Sequence, residues 1–196
     1  MIRPAFAFVA ATTLLACAAP ASAVDAASRV REVIASEAAF NKARVAGRKA
    51  AFFCANCHGE DGNSAHDYIP NLAGQNAVYL LNQIEKFVDG RRQDEFMTGM
   101  IKVIKPDDRF NMAIYYSSQP VAPAKPANSA LAGKGRQIYE GVCKTCHGAQ
   151  GYGNEKIARL AGQQPRYLSQ SLEDYRKGSA VRRDPVMGSV AKRLKD

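Results

Sequence analysis

Cys54-Ala55-Asn56-Cys57-His58 recurs as Cys143-Lys144-Thr145-Cys146-His147, 89 positions further along the 196-residue chain. Cys-x-x-Cys-His is the attachment motif of c-type haem. Two thiols three residues apart add to the two vinyl groups of one porphyrin, and the histidine that follows reaches the iron from the proximal side. Two copies imply two covalent haem c groups, one held by Cys54 and Cys57 and the other by Cys143 and Cys146, in a chain that moves electrons. A redox dithiol, a disulfide or a four-cysteine zinc site would account for the cysteines. None of these explains a histidine after each pair.

The repetition extends beyond the motifs. Gly47-Arg48 and Gly135-Arg136 precede them, Leu72-Ala73-Gly74-Gln75 matches Leu160-Ala161-Gly162-Gln163, Tyr79-Leu80 matches Tyr167-Leu168, and Gly90 matches Gly178. The later matches hold an offset of 88. With only two copies, this pattern is the duplication of a small domain rather than a solenoid.

Hydrophobic spacing places helices around each motif. Residues 24–45 read as a helical lead-in, and residues 46–56 as a helix running into the first motif with Ala50, Phe52 and Phe53 as its packing side chains. The stretch 59–75 carries Gly, Asn, Asp and Pro and reads as loop. Val78, Leu81, Ile84, Phe87 and Val88 recur at helical spacing up to Gly90. After a methionine-bearing loop, Pro106-Asp107-Asp108 opens a further helix, with proline in the first turn and acids at the positive end of the dipole. Pro120, Pro123 and Pro126 mark 119–128 as an extended linker. The expected organisation is a signal peptide at 1–23, domain 1 at 24–118, the linker, and domain 2 at 129–196. No useful run of strand alternation occurs, so the fold class is all-α.

A carrier haem needs a second axial ligand, and the three histidines, His58, His66 and His147, cannot supply one to each iron. Methionine is the next common partner. Met187 lies 40 residues after His147, and Met97 lies 39 after His58. The matched interval favours Met97, with Met100 as its competitor and Met112 as core filler. The axial set is therefore His58, Met97, His147 and Met187. His66 reads as an exposed loop residue. A carbonyl near Pro70, or near Ala158 in the second copy, could accept the proximal histidine's other N–H. Tyr79 and Tyr167 read as packing residues, and Arg91, Arg92, Arg182 and Arg183 as solvated, with propionate pairing as the sharper option.

Residues 1–23 have the form of a secretory signal: Arg3, an apolar run from Ala5 to Ala16, and Ala21-Ser22-Ala23 as a cleavage site. The run is too short for a permanent membrane span. Cys17 lies inside it, and its surroundings loosely resemble a lipoprotein acylation site. Export suits haem attachment outside the cytoplasmic membrane. The formal charge of +9 is uneven: residues 25–118 hold 12 basic and 12 acidic side chains, whereas residues 129–196 hold 13 and 6. With export and haem, this basic half points to an acidic redox partner rather than to nucleic acid. Each half is small enough that a haem must also serve as its core.

On both Cys-x-x-Cys-His motifs, Asp61-Gly62-Asn63-Ser64, Pro70 to Gln75, Tyr79-Leu80-Leu81, Met97-Thr98-Gly99-Met100, Leu160 to Gln163, Tyr167 and Met187, the chain resembles the diheme cytochrome c4 family, two fused class I cytochrome c domains. The resemblance implies that the first methionine of Met97-Thr98-Gly99-Met100 ligates iron. It also implies a periplasmic one-electron carrier of a respiratory chain, soluble or membrane-attached. Its donor would be a membrane quinol oxidoreductase or a dehydrogenase, and its acceptor a terminal oxidase. A diheme electron-transfer subunit of a flavocytochrome, or of an alcohol or thiosulfate dehydrogenase, is the alternative. A peroxidase would need an open axial position, against which a methionine for each haem argues. One departure stands out: 21 residues follow Met97 in its domain but only 9 follow Met187, so the last helix of the second domain is expected to be missing.

Overall fold

The computed structural model describes residues 26–123 and 129–194. The signal segment with Cys17, and residues 124–128 of the linker, lie outside the described residues. All regular structure among the described residues is helical: α1 (Ala26–Ala35), α2 (Glu37–Ala50), α3 (Ala55–His58), α4 (Ala77–Val88), α5 (Glu95–Lys102), α6 (Pro106–Ser117), α7 (Ser129–Ile138), α8 (Lys144–His147), α9 (Pro165–Lys177) and α10 (Pro185–Ala191), with a π-helical turn at Tyr139–Cys143. None is long and apolar enough to cross a membrane.

Local chemistry explains the boundaries. Ser36 ends α1 and caps α2 by accepting from the Ala39 N–H at 3.4 Å. Pro106 opens α6, with Asp107 and Asp108 in its first turn. The methionine-bearing stretch expected as loop contains α5, whose N-cap Asp94 accepts from the Met97 N–H at 2.8 Å. The cap satisfies an otherwise orphaned donor and holds a short helix despite the Thr98-Gly99 pair within it.

The apolar core lies in the first half. Val30, Ala43, Val78, Leu80, Leu81, Phe110, Met112, Ile114 and Tyr116 are among its buried members. Helices α2 and α6 cross so closely at Gly47 that an added Cβ would collide with the Asn111 carbonyl and lie 2.7 Å from Tyr115 Cβ. The Tyr115 hydroxyl donates to the Glu60 carbonyl at 2.7 Å and ties α6 to the loop after the first motif. Met112, 2% exposed, is core filler as its spacing suggests.

The second half repeats the motif, loop and helix but not the core. Among the described residues, neither α7 nor α9 has a buried side chain. Leu131, Ile138 and Val142 are exposed, and Gly135, the counterpart of Gly47, has open space where a Cβ would stand. No helix equivalent to α6 follows α10 among the described residues. The described part of the linker is pinned rather than free. Asn63 accepts from the Ala122 N–H at 2.9 Å and donates to the Pro120 carbonyl at 2.9 Å. Val121 wedges between Gly74 and Gly162, leaving no room for a Cβ on either. Both glycines have positive φ, +61° and +77°, so each repeated turn needs glycine twice over, for backbone conformation and for Val121.

Candidate functional site

Each motif forms one short helical turn. Cys54 precedes α3 and Cys143 precedes α8, and each turn ends at its histidine before a glycine. One turn of helix brings the two cysteines of a pair onto the same face with the histidine just beyond. None of the four motif cysteines is paired in a disulfide. Burial pushes the Cys54 thiol above its usual range, and does the same to Cys143.

Both motif histidines are buried, His58 at 6% and His147 at 8% exposure. His58 Nδ1 lies 2.9 Å from the Pro70 carbonyl, and His147 Nδ1 lies 2.8 Å from the Ala158 carbonyl. A carbonyl can only accept, so Nδ1 is the protonated nitrogen and Nε2 is the one left to bind a metal. Burial lowers the His58 pKa and holds the ring neutral, the form that ligates. The second-copy carbonyl comes from alanine where the first has proline, with the same geometry. His66 is exposed beside Tyr68.

The methionines fall into matched places. Met97 occupies the third position of α5 behind N-cap Asp94, and Met187 the third position of α10 behind N-cap Asp184, whose carboxylate accepts from the Met187 N–H at 2.9 Å. Both are half-buried. Met100 sits one turn further along α5, also half-buried, with no counterpart in α10.

The reading of four solvated arginines holds for Arg91 and Arg183 and fails for Arg92 and Arg182. Arg182 is 6% exposed, and Arg92 Nε is buried without a partner. Their local sequence is polar, but each stands against a tyrosine of the other half, so tertiary packing covers it. Arg92 donates to the Tyr167 hydroxyl at 3.3 Å and stacks on Phe87. Arg182 bonds to Tyr79 and lies over the Tyr167 and Tyr175 rings. Burial and the neighbouring Arg92 push Arg182 down to about 9. Two desolvated guanidiniums with no carboxylate in ion-pair range among the described residues are an arrangement that calls for anions. Haem carries two propionates, so the residues present fit the group. Tyr79 and Tyr167, expected as packing, each place a hydroxyl on the arginine of the opposite half.

That exchange is part of a wider reciprocity. The Asn76 side chain donates to the Tyr152 carbonyl at 3.1 Å, and its counterpart Gln164 donates to the Ser64 carbonyl at 2.8 Å. Gln75 and Gln163 do the same at the centre of the joint. The Leu-Ala-Gly-Gln repeat was the signal for it, but a repeat does not reveal what its copies touch. Phe52 and Phe53, expected to pack, are 72% and 68% exposed with their rings edge to face. The chain leaves α2 at Ala50, which packs against the core as expected, and the turn that follows buries Ala51 but carries both rings outward.

A sequence profile described as Cytochrome c matches residues 45–120 and 132–193. Cytochrome c4 of Thiocapsa roseopersicina is 37% identical over 161 residues, covering 76% of this chain and 82% of that protein. The crystal structure of reduced recombinant cytochrome c4 from Pseudomonas stutzeri superposes with a TM-score of 0.71 at 32% identity, over 78% of this chain and 90% of that one. A thiosulfate dehydrogenase electron acceptor of Thiomonas intermedia is 33% identical over 158 residues, covering 73% of this chain and 72% of that protein. With its two tandem all-helical domains and a covalent haem c implied for each, the chain belongs to the cytochrome c4 family of diheme electron-transfer proteins.

Proposed function

We propose that Cys54 and Cys57 hold one haem and Cys143 and Cys146 the other, with axial pairs His58–Met97 and His147–Met187, and that the protein is a periplasmic carrier passing electrons toward a terminal oxidase without substrate chemistry of its own. Bound haem supplies a one-electron ferrous–ferric couple. The chain's own residues do the rest. The cysteines tether, and the Pro70 and Ala158 carbonyls orient the histidines. Asp94 and Asp184 fix the helix starts that carry the two methionines, while Arg92 and Arg182 offset propionate charge. The observation that carries the ligand assignment is the matched Asp-x-x-Met start of α5 and α10. A histidine and a methionine held ready for each iron would leave it no open position for a substrate, which supports a carrier over an enzyme.

The excess of 13 basic over 6 acidic residues in 129–196 supports an acidic docking partner steered by charge. A relative that favours the alternative is the Thiomonas thiosulfate dehydrogenase electron acceptor. Stopped-flow measurement separates the two readings. The reduced protein is mixed with oxidase-containing membranes, and the oxidised protein with purified thiosulfate dehydrogenase and thiosulfate. Fast, saturable oxidation by the membranes that slows with added salt is expected. Reduction by the dehydrogenase with no membrane-dependent oxidation would establish the alternative instead.

A further inference from the structure

At the centre of the joint between the halves, two glutamines each reach across to one residue's backbone. Gln163, 9% exposed, accepts the Asn71 N–H on Oε1 at 2.7 Å and donates Nε2 to the Asn71 carbonyl at 2.9 Å. Gln75, 6% exposed, accepts the Arg159 N–H at 2.8 Å and donates to the Arg159 carbonyl at 3.0 Å. The side-chain orientation is not free, because an N–H can only donate and a carbonyl can only accept.

The N–H of Asn71 and the carbonyl of Pro70 belong to one peptide group, and that carbonyl receives His58 Nδ1. Likewise the N–H of Arg159 and the carbonyl of Ala158 form one peptide group, and that carbonyl receives His147 Nδ1. Each motif histidine is thus joined through a single peptide unit to a glutamine of the opposite half. A hydrogen bond accepted from a peptide N–H polarises its carbonyl and makes it a stronger acceptor. A stronger acceptor draws the Nδ1 proton and raises the basicity of Nε2. A more basic ligand stabilises ferric over ferrous iron and lowers the reduction potential.

We propose that Gln163 and Gln75 are crossed positioning residues: Gln163, in the second half, lowers the potential of the first-half haem, and Gln75, in the first half, lowers that of the second-half haem. The crossing is the distinguishing content. A side chain that merely glued the halves together would affect both haems alike, or its own half most. It also gives the joint a function besides cohesion, because any change that parts the halves releases both histidines from the same restraint.

The test is an NMR-monitored redox titration of the full two-haem protein, with haem signals assigned through contacts to residues of each half. Gln163→Leu is expected to raise the ferrous-to-ferric ratio of the first-half haem about two- to fourfold at fixed potential, ~18–36 mV at 59 mV per tenfold for one electron. The second-half haem should move far less. Gln75→Leu should give the mirror result. Gln163→Glu keeps an oxygen to accept from Asn71 and should leave the first-half haem at or below its wild-type potential, which keeps the test alive if the leucine variants do not fold. Two haems per chain are confirmed in each variant by pyridine haemochrome. Equal shifts at both haems, a shift confined to the mutated half, or a raised first-half potential in Gln163→Glu overturns the proposal.

Discussion

Replacing Gly47 with alanine sets the α2–α6 crossing against a single methyl group. The new Cβ would meet the Asn111 carbonyl oxygen and sit 2.6 Å from the Asn111 carbonyl carbon and 2.7 Å from Tyr115 Cβ. These neighbours are helix backbone and a Cβ, so no rotamer change relieves the contact and the helices must separate. Overpacking of this kind costs about 1–3 kcal/mol. Alanine also favours the helix over glycine by roughly 0.5–1 kcal/mol, which offsets part of the loss. The net expectation is a destabilisation of about 1–2 kcal/mol. For a domain of this size each kcal/mol moves the melting temperature by about 4–8 °C, so the first-half transition should fall by roughly 5–15 °C. Gly135→Ala is the internal control. It stands at the equivalent place in α7 with nothing within 4 Å of the added Cβ, so only the helix preference acts and stability should hold or rise by up to about 1 kcal/mol. Thermal melts of the haem-loaded protein, followed by far-ultraviolet dichroism and fitted as two transitions because two domains need not unfold together, measure both variants. Equal and opposite-to-expected behaviour, or a Gly47→Ala transition unchanged from wild type, would refute the close-crossing argument.

Other outcomes follow from the site. Met97→Ala and Met187→Ala should each remove about half of the weak red-end absorption band of oxidised methionine-ligated haem, while Met100→Ala retains it; loss in the Met100 variant and retention in the Met97 variant reverses the assignment. Arg182→Leu in the haem-loaded protein should cost about 3–5 kcal/mol if the guanidinium answers a propionate, because the anion is left buried and alone; a chemical-denaturation midpoint that rises instead shows a cation without a partner. Asp94→Ala and Asp184→Ala each remove an N-cap carboxylate and should cost about 0.5–2 kcal/mol; the same absorption band should weaken at the corresponding haem, and a band of full strength in both variants contradicts the positioning role given to the caps.

The architecture was legible because duplication printed it twice. Both motif turns, the amphipathic α4 and the proline-started α6 carry short-range signals that tertiary structure had no reason to override. The hidden elements share a different character. α5 is eight residues long with Thr98-Gly99 inside it, too short for periodicity to register and too poor in propensity to attract notice; only its Asp94 cap marked it. Arg92 and Arg182 look like surface residues because charge normally seeks water, and their burial depends on the apposition of two domains that no local window contains. Phe52 and Phe53 fail in the opposite sense: their apolarity suggests a core, but the turn after α2 aims them outward. The crossed glutamines were visible as a repeated Gln, yet the bond each makes is to a backbone group, which leaves no side-chain complement in the sequence to find.

Because the central joint is read through main-chain atoms, it tolerates unlike side chains at the receiving positions: Asn71 and Arg159 take the same pair of bonds despite sharing neither size nor charge. Such a contact is isologous, each half giving what it receives, and therefore self-complementary. Two unfused copies of an ancestral single-haem unit would close the same interface as a homodimer. A connecting strap adds nothing to the pairing itself, so the two halves keep the register even though their sequences and charges differ.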